Sequence, residues 1–405
     1  TISVIPFFFF FATGLALQSV GKIVVVGNSD SGFAVVRYQI NGSLDSSFGV
    51  GGIVISPIET ASANSVAIQT DGKILVVGNN YDGPNIDFIM ARYHTNGLLD
   101  SIFDSDGIVI TDVGSGYAEA RSIAIQADNK ILIAGSSFSG ACTIVRYNSN
   151  GALDSTFDSD GFATTPIGLA FNANSISLQG DGKIVAVGNK YNGQYDDFAI
   201  ARFNTNGAID TSFNSDGLVT TSIGNGNSTA SSVAIQTDGK IIAAGSIPNN
   251  NYSQFALARY HLNGNLDTTF GYNGITIEYN SLKDFTYAMA VQADGKIVIA
   301  GSSEHPSLRP IVVARFLGDV PLNLMHETGG NNVMMIYPNP ARNEIQFSSL
   351  VEIEEIKIYS IDGKKVMQTS NPSSNSISIR HLQCGKYHIS FKTSNGIEYA
   401  QFVKQ

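Results

Sequence analysis

Three stretches of this 405-residue sequence set oxygen ligands at spacings that suit a hard cation. They are Asp100, Asp104 and Asp106; Asp154, Asp158 and Asp160; and Asp210, Asn214 and Asp216. Calcium takes several carboxylate, amide and carbonyl oxygens from a short loop, and an Asp-x-Asp-Gly turn supplies them close together. Two related stretches carry instead Gly49 and Gly51, and Gly271 and Asn273, so the chain builds the same turn without the extra acids. A plain reverse turn, for which Asp, Asn and Gly are the ordinary residues, is the default reading, and calcium is the sharper alternative.

A second set of residues suits recognition better than reaction. Tyr81 and Asp82, Tyr191 and Tyr195, and Tyr252 fall in segments rich in Asn, Gln and Gly. An aromatic face beside amides and acids is what a sugar-binding surface uses, and a variable polar loop uses the same residues. Histidine is scarce, and His94 and His261 occupy a repeated position where Gln39, Asn148 and Asn204 also stand, which reads as a solvent-facing turn. The sequence contains no Gly-x-Ser-x-Gly elbow, His-Glu-x-x-His helix, phosphate loop or dinucleotide fingerprint. No catalytic residue is therefore assigned and the chain is not expected to be an enzyme.

The composition narrows the class further. With 24 Lys+Arg against 34 Asp+Glu the formal charge is −10, which argues against nucleic-acid binding. Forty-one glycines with 43% hydrophobic residues suit many short strands and tight turns. The two cysteines, Cys142 and Cys384, are too few for a disulfide framework, and Cys142 aligns with the apolar Phe33, Phe88 and Phe198. No apolar stretch approaches the ~20 residues of a membrane-spanning helix, so no transmembrane segment is expected.

What positions these residues is a repeat. Gln69-Thr70-Asp71-Gly72-Lys73-Ile74 opens a motif whose lysine returns as Lys22, Lys130, Lys183, Lys240 and Lys296. Arg37, Arg92, Arg146, Arg202, Arg259 and Arg315 follow on the same period, and in five copies Asn-Gly-x-(Leu/Ile)-Asp-x-x-Phe comes next. Each unit reads as four strands: in the third, Gly107–Thr111, Ser122–Gln126, Lys130–Ala134 and Cys142–Tyr147, with Asp-Gly or Asp-Asn marking a tight hairpin. Ile2–Pro6 aligns with Ile53–Pro57, so the repeat extends to the first residue, and the apolar run Phe7–Phe11 reads as blade sequence before it reads as a signal peptide. Four strands per ~55 residues without helical periodicity predict an all-β chain, a β-propeller of six four-stranded blades over residues 1–318, with a parallel solenoid as the alternative architecture and a larger ring if further blades precede Thr1. The Arg and Asp eight residues apart in five units, as in Arg146 and Asp154, read as a structural clamp because they recur in nearly every blade.

On these three motifs the chain resembles the delta-60 repeat family of bacterial β-propellers, which implies a fold and no particular reaction.

The period breaks after residue 318. A polar, glycine-rich linker over 319–335 leads into a segment, 336–405, of short strands that predict a small Ig-like antiparallel β-sandwich. Its landmarks are Tyr337-Pro338-Asn339-Pro340; Ile358-Tyr359 with Gly363-Lys364; Leu382 with Gly385 and Tyr387; and an end containing Lys404. These resemble the C-terminal sorting domain of the type IX secretion system. The resemblance implies the type IX secretion machinery as a partner and export across the outer membrane of a Bacteroidota-type bacterium, with release or attachment at the surface. A secreted or cell-surface binding or adhesion module, with an extracellular glycan or surface protein as ligand, is the resulting expectation. A polysaccharide-active hydrolase or lyase and a structural surface-layer protein are the alternatives.

Overall fold

The computed structural model describes residues 11–404, apart from 59, 83–84, 115, 138–139, 166–170, 250–251, 279–282, 305–310, 317–334, 338–340, 349–352, 361–363, 373 and 394–395. The described residues form strands and turns throughout. The chain divides into two compact units, the first made of Thr1–Asp267 and Gly274–Asp319 and the second dominated by Val320–Gln405.

The first unit is a six-blade β-propeller. Its local rule is the Gln-x-Asp-Gly-Lys hairpin, in which the Gln69 N–H donates to the Lys73 carbonyl at 2.9 Å and the Asp71 carboxylate accepts from the Lys73 N–H at 3.1 Å. Gly72 sits at φ +83°, and Asn129 takes the same place in the third blade at φ +65°, which Asn tolerates better than most residues. Each hairpin continues into a third antiparallel strand, giving sheets such as Ala61–Ile68, Ile74–Asn80, Asp87–Tyr93 and Ile108–Thr111.

That last strand corrects the phase read from the sequence. Ile108–Thr111 opens the third repeat but pairs with Asp87–Tyr93 of the second, and the corresponding short strand of each following repeat does likewise. The intervening Asn-Gly and Asp-rich turns fold back on the third strand. The Asp100 N–H donates to the Arg92 carbonyl at 2.8 Å and the Arg92 N–H to the Gly107 carbonyl at 3.0 Å, which brings Ile108 to the free sheet edge. Five blades have four strands, and the sixth has three among the described residues, Lys283–Val291, Ile297–Glu304 and Ile311–Phe316.

Blades stack through their apolar faces. Val76, Ile89 and Ala91 of the second blade pack with Val24, Val26 and Val35 of the first, and the same arrangement joins the second to the third, the third to the fourth and the fourth to the fifth. Middle strands are consequently apolar on both faces, as in Ile74-Leu75-Val76-Val77, all fully buried. Burial of each such side chain is worth roughly 1.5–3 kcal/mol. Leu15 and Leu17 in the first blade and Ile311 and Val313 in the sixth stay exposed.

The second unit holds two antiparallel sheets. One joins Met335–Tyr337, Glu344–Ser348 and Ser376–Ser378; the other has the order Lys365–Ser370, Ile353–Ser360, Gly385–Thr393, Gly396–Lys404. Ile345 and Phe347 from the first sheet meet Ile356, Ile358, Ile389 and Phe391 from the second in one core.

Candidate binding site

A defect common to all six inner strands builds the site. Where the inner strand of the third blade pairs with its neighbour, Ala120 faces Gly135 and Ser122 faces Ala134, so Arg121 is an extra residue without a cross-strand partner. The same β-bulge falls at Thr13, Asn64, Asn174, Ser231 and Tyr287. A bulge re-aims the side chain it displaces. Here all six displaced side chains line one cavity of about 800 Å³.

A glycine makes each bulge geometrically feasible. A Cβ on Gly78, Gly135 or Gly188 would lie 1.7 Å from the carbonyl oxygen of Ser62, Glu119 or Asn172 respectively, an overlap that no side chain survives. The glycine that ends each Lys-Ile-x-x-x-Gly motif is therefore the partner of the bulge, and its recurrence fixes where one residue per blade is presented.

Polar contacts between adjacent blades hold the cavity wall. Thr13 Oγ1 donates to the Ala63 carbonyl at 2.7 Å, Asn64 Nδ2 to Ala120 at 2.7 Å and Asn174 Nδ2 to Ala230 at 2.9 Å. Asn79 Oδ1 accepts from the Ala120 N–H at 2.9 Å, and Ser246 Oγ from the Thr286 N–H at 2.8 Å. Each amide or hydroxyl is thus oriented before any ligand arrives. Glu119 and Arg121 are the charged residues of the lining: Arg121 donates from Nε to Glu119 Oε2 at 2.9 Å and from Nη1 to Asn174 Oδ1 at 2.7 Å. Tyr81 and Tyr287 supply aromatic surface; both are exposed, with their hydroxyls bonded to Ser62 and Ser302.

Of the residues expected to recognise ligand, Tyr81 lines this cavity. Asp82 is exposed beside it and is not part of the lining. Tyr191 bonds the Gly193 carbonyl within its own turn at 2.8 Å, and neither Tyr191 nor Tyr195 belongs to the wall. Tyr252 lies on a described strand, but its side chain is outside the described residues, while its neighbour Ser253 lines the cavity. The bulge residues were not singled out from the sequence. Their signal is a varying residue inside a recurring frame: Ala63-Asn64-Ser65, Ala120-Arg121-Ser122, Ala173-Asn174-Ser175, Ala230-Ser231-Ser232.

The acidic triplets serve the turns. Asp100, Asp154 and Asp210 are buried in ion pairs with Arg92, Arg146 and Arg202 at 2.7–2.8 Å, with Lys73, Lys130 and Lys183 at 2.8–3.1 Å completing each pair. Asp106, Asp160 and Asp216 each accept from the backbone N–H two residues on at 2.8–2.9 Å. Asp104, Asp158 and Asn214 adopt positive φ and donate their N–H groups to carbonyls of the next blade's turn. Among the described residues no group of three His, Cys, Asp or Glu side chains is arranged to hold a metal ion.

The clamp also joins blades. Arg92 lies over the Phe103 ring at 4.1 Å and donates Nη1 to the Ser149 carbonyl of the next blade at 2.6 Å; Arg146 does the same with Phe157 and Thr205. Burial alone would raise the Asp154 carboxyl, but Lys130, the Thr156 hydroxyl and amide, and Arg146 outweigh it and hold the group well below the usual carboxylate range. Asp45 and Asp210 are lowered in the same way. Cys142 is fully buried, and desolvation pushes its thiol far up, so it behaves as a small hydrophobe.

In the second unit the sorting landmarks are mostly structural. Tyr387 stacks on Phe402 with ring centroids 5.5 Å apart and donates its hydroxyl to the Gln383 carbonyl at 2.9 Å. Gly385 pairs with Lys404 at one end of the last hairpin, and the Lys364 carbonyl accepts from the Ser360 N–H at 2.9 Å across a turn. Tyr337 lies on a described strand; Pro338, Asn339, Pro340 and Gly363 are outside the described residues.

Comparison with known proteins agrees with both units. Segments 18–48, 69–103, 126–157, 179–213, 236–270 and 292–317 match a β-propeller domain of unknown function, DUF5122, and 335–405 match the secretion system C-terminal sorting domain. No curated protein matches the chain. Among solved structures it is similar to the extracellular domain of the hybrid two component system BT3049 from B. thetaiotaomicron, at 12% identity and TM-score 0.37, covering 97% of this chain and 55% of that one. It is also similar to virginiamycin B lyase from Staphylococcus aureus, at 11% identity and TM-score 0.43 over 84% and 92% of the two chains. Sqt1 from Chaetomium thermophilum gives 13% identity and TM-score 0.43 over 72% and 67%. No helix among the described residues is long and apolar enough to cross a membrane. The chain is a six-repeat β-propeller of this family of unknown function, joined to a secretion-system C-terminal sorting domain that directs it through type IX secretion to the cell surface or extracellular space.

Proposed function

We propose that the exported propeller is a binding module that holds a polyhydroxylated ligand, an extracellular glycan, in the cavity ringed by its bulges. The observation that carries this is that one bulge position per blade presents Thr13, Asn64, Arg121, Asn174, Ser231 or Tyr287, five residue types, to a single cavity, inside an Ala-x-Ser frame that recurs in four of the six blades. A purely architectural position would repeat like the clamp, whereas a recognition position varies to suit different parts of one ligand. Oriented amides and hydroxyls bond sugar hydroxyls, and Tyr81 and Tyr287 offer ring faces for stacking. Most lining residues carry a hydroxyl, an amide or a charge, with Ile247, Pro248 and Phe285 among them, which disfavours a purely structural channel. Among the described lining residues Glu119 is the one carboxylate, and glycoside hydrolysis by the usual route needs two, which favours retention over turnover. A glycan-array screen of the purified protein, followed by calorimetry on any hit with wild type and an Asn64→Ala, Asn174→Ala double variant, tests it. Binding that the double variant loses supports the cavity; binding that it keeps moves the site elsewhere.

A further inference from the structure

We propose that Glu119 sets the charge preference of the cavity: by holding Arg121 it keeps the wall neutral, so that an uncharged sugar is accepted and a carboxylated or sulfated one is refused. This rests on the carbohydrate reading above. Among the described lining residues charge appears once, in the third blade, with both signs two residues apart on one strand. At the repeat position of Glu119 other blades have Ser62 and Thr229, and at that of Arg121 they have Asn64 and Ser231. A lone arginine there would be an anion site, because its planar fork matches a carboxylate or sulfate.

The fork is already occupied. Nε and Nη2 both donate to Glu119 Oε2, and Nη1 donates to Asn174 Oδ1. An incoming anion meets an engaged guanidinium and a carboxylate that repels it. A neutral hydroxyl meets neither obstacle: it accepts from the remaining N–H groups or donates to Glu119 without bringing charge. The pair is about two-fifths exposed, Arg121 at 41% and Glu119 at 43%, so the cavity can be altered here without disturbing a buried network.

The test uses the purified full chain with neutral cello-, xylo- and manno-oligosaccharides and with oligogalacturonate and sulfated oligosaccharides of matched length. Calorimetry compares wild type with Glu119→Gln and Arg121→Gln. Glu119→Ser, which places the second blade's own residue at this position, guards against a poorly folded variant. Wild type is expected to bind a neutral probe at least tenfold more tightly than its acidic counterpart. Both Glu119 variants are expected to gain at least tenfold for acidic probes, with the gain suppressed by salt, and Arg121→Gln is expected to gain nothing. Wild-type preference for acidic probes, or neutral binding whose preference is unmoved in the Glu119 variants, overturns the masking role while leaving the carbohydrate reading intact. Silence of every protein toward every probe overturns the carbohydrate reading, and this proposal with it.

Discussion

Gly135 lies directly against the carbonyl of Glu119, so that a Cβ built on it would fall 1.7 Å from that oxygen. The contact is what allows the inner strand to bulge at Arg121. Gly135→Ala must therefore push the strands apart or iron out the bulge. A loss of about 2 kcal/mol or more is expected from such backbone overlap, with Arg121 withdrawn from the cavity. Thermal melting reads the first effect and ligand affinity the second; a variant that melts like wild type would show that the strand pairing is more pliant than described.

The Arg146–Asp154 pair is buried, with Arg146 also committed to the Thr205 carbonyl of the next blade. Asp154→Ala leaves Arg146 and Lys130 without their shared carboxylate. Removal of one partner from a buried pair costs about 3–5 kcal/mol. Asp160→Ala, which removes an exposed backbone cap, is expected to cost much less. Equal melting of the two variants would contradict the clamp's structural weight.

The depressed carboxyls of Asp45, Asp154 and Asp210 set a direction for pH dependence. Their folded pKa values lie below the unfolded value near 3.9, so the unfolded chain binds protons first as pH falls. The stability they contribute is present in full above that range and drains away as pH drops below about 4. Melting temperature should be flat around neutrality and fall steeply under pH 4, and Asp154→Asn should make the fall shallower. A fall of equal steepness in that variant would place the acid sensitivity elsewhere.

Tyr81 and Tyr287 are 47% and 66% exposed, and each side chain is held through its hydroxyl, Tyr81 to Ser62 and Asn79 and Tyr287 to Ser302. Replacing either by Ala should leave the melting temperature within a degree or two. A stacked aromatic is worth about 0.5–1.5 kcal/mol beyond its area, so affinity for a bound glycan should fall about tenfold per tyrosine. Loss of stability in place of affinity would make these tyrosines structural.

Asp100 and Asp154 spend their carboxylates on Arg and Lys, and Asp106 and Asp160 on backbone N–H groups. Addition of calcium or of a chelator is accordingly expected to shift neither melting nor binding. Heat on calcium titration, abolished by replacing Asp106 or Asp160, would reverse this assignment.

The sequence shows the blades because strand pattern and turn chemistry are local. Asp128-Asn129 announces its hairpin, and Arg146 with Asp154 announces the clamp by recurrence. The phase of the blade is not local: Ile108–Thr111 belongs to the preceding sheet because the Asp100 turn folds back on Arg92, a contact that spacing alone does not display. The cavity was hidden for a related reason. The variable loops include Tyr81, which directly follows the second strand, Ile74–Asn80, at the wall, whereas Arg121 and Asn174 stand inside strands. Only the register, with one residue too many between Ala120 and Ser122, turns those positions inward.

The most direct measurement is binding of a neutral oligosaccharide panel to the purified protein, in parallel with an Asn174→Ala, Tyr287→Ala variant that strips two bulge positions. Affinity in wild type, lost in the variant while both proteins stay folded at the assay temperature, is the expected result. Absence of binding across the panel, or binding that survives both substitutions, would contradict the bulge ring as the ligand site.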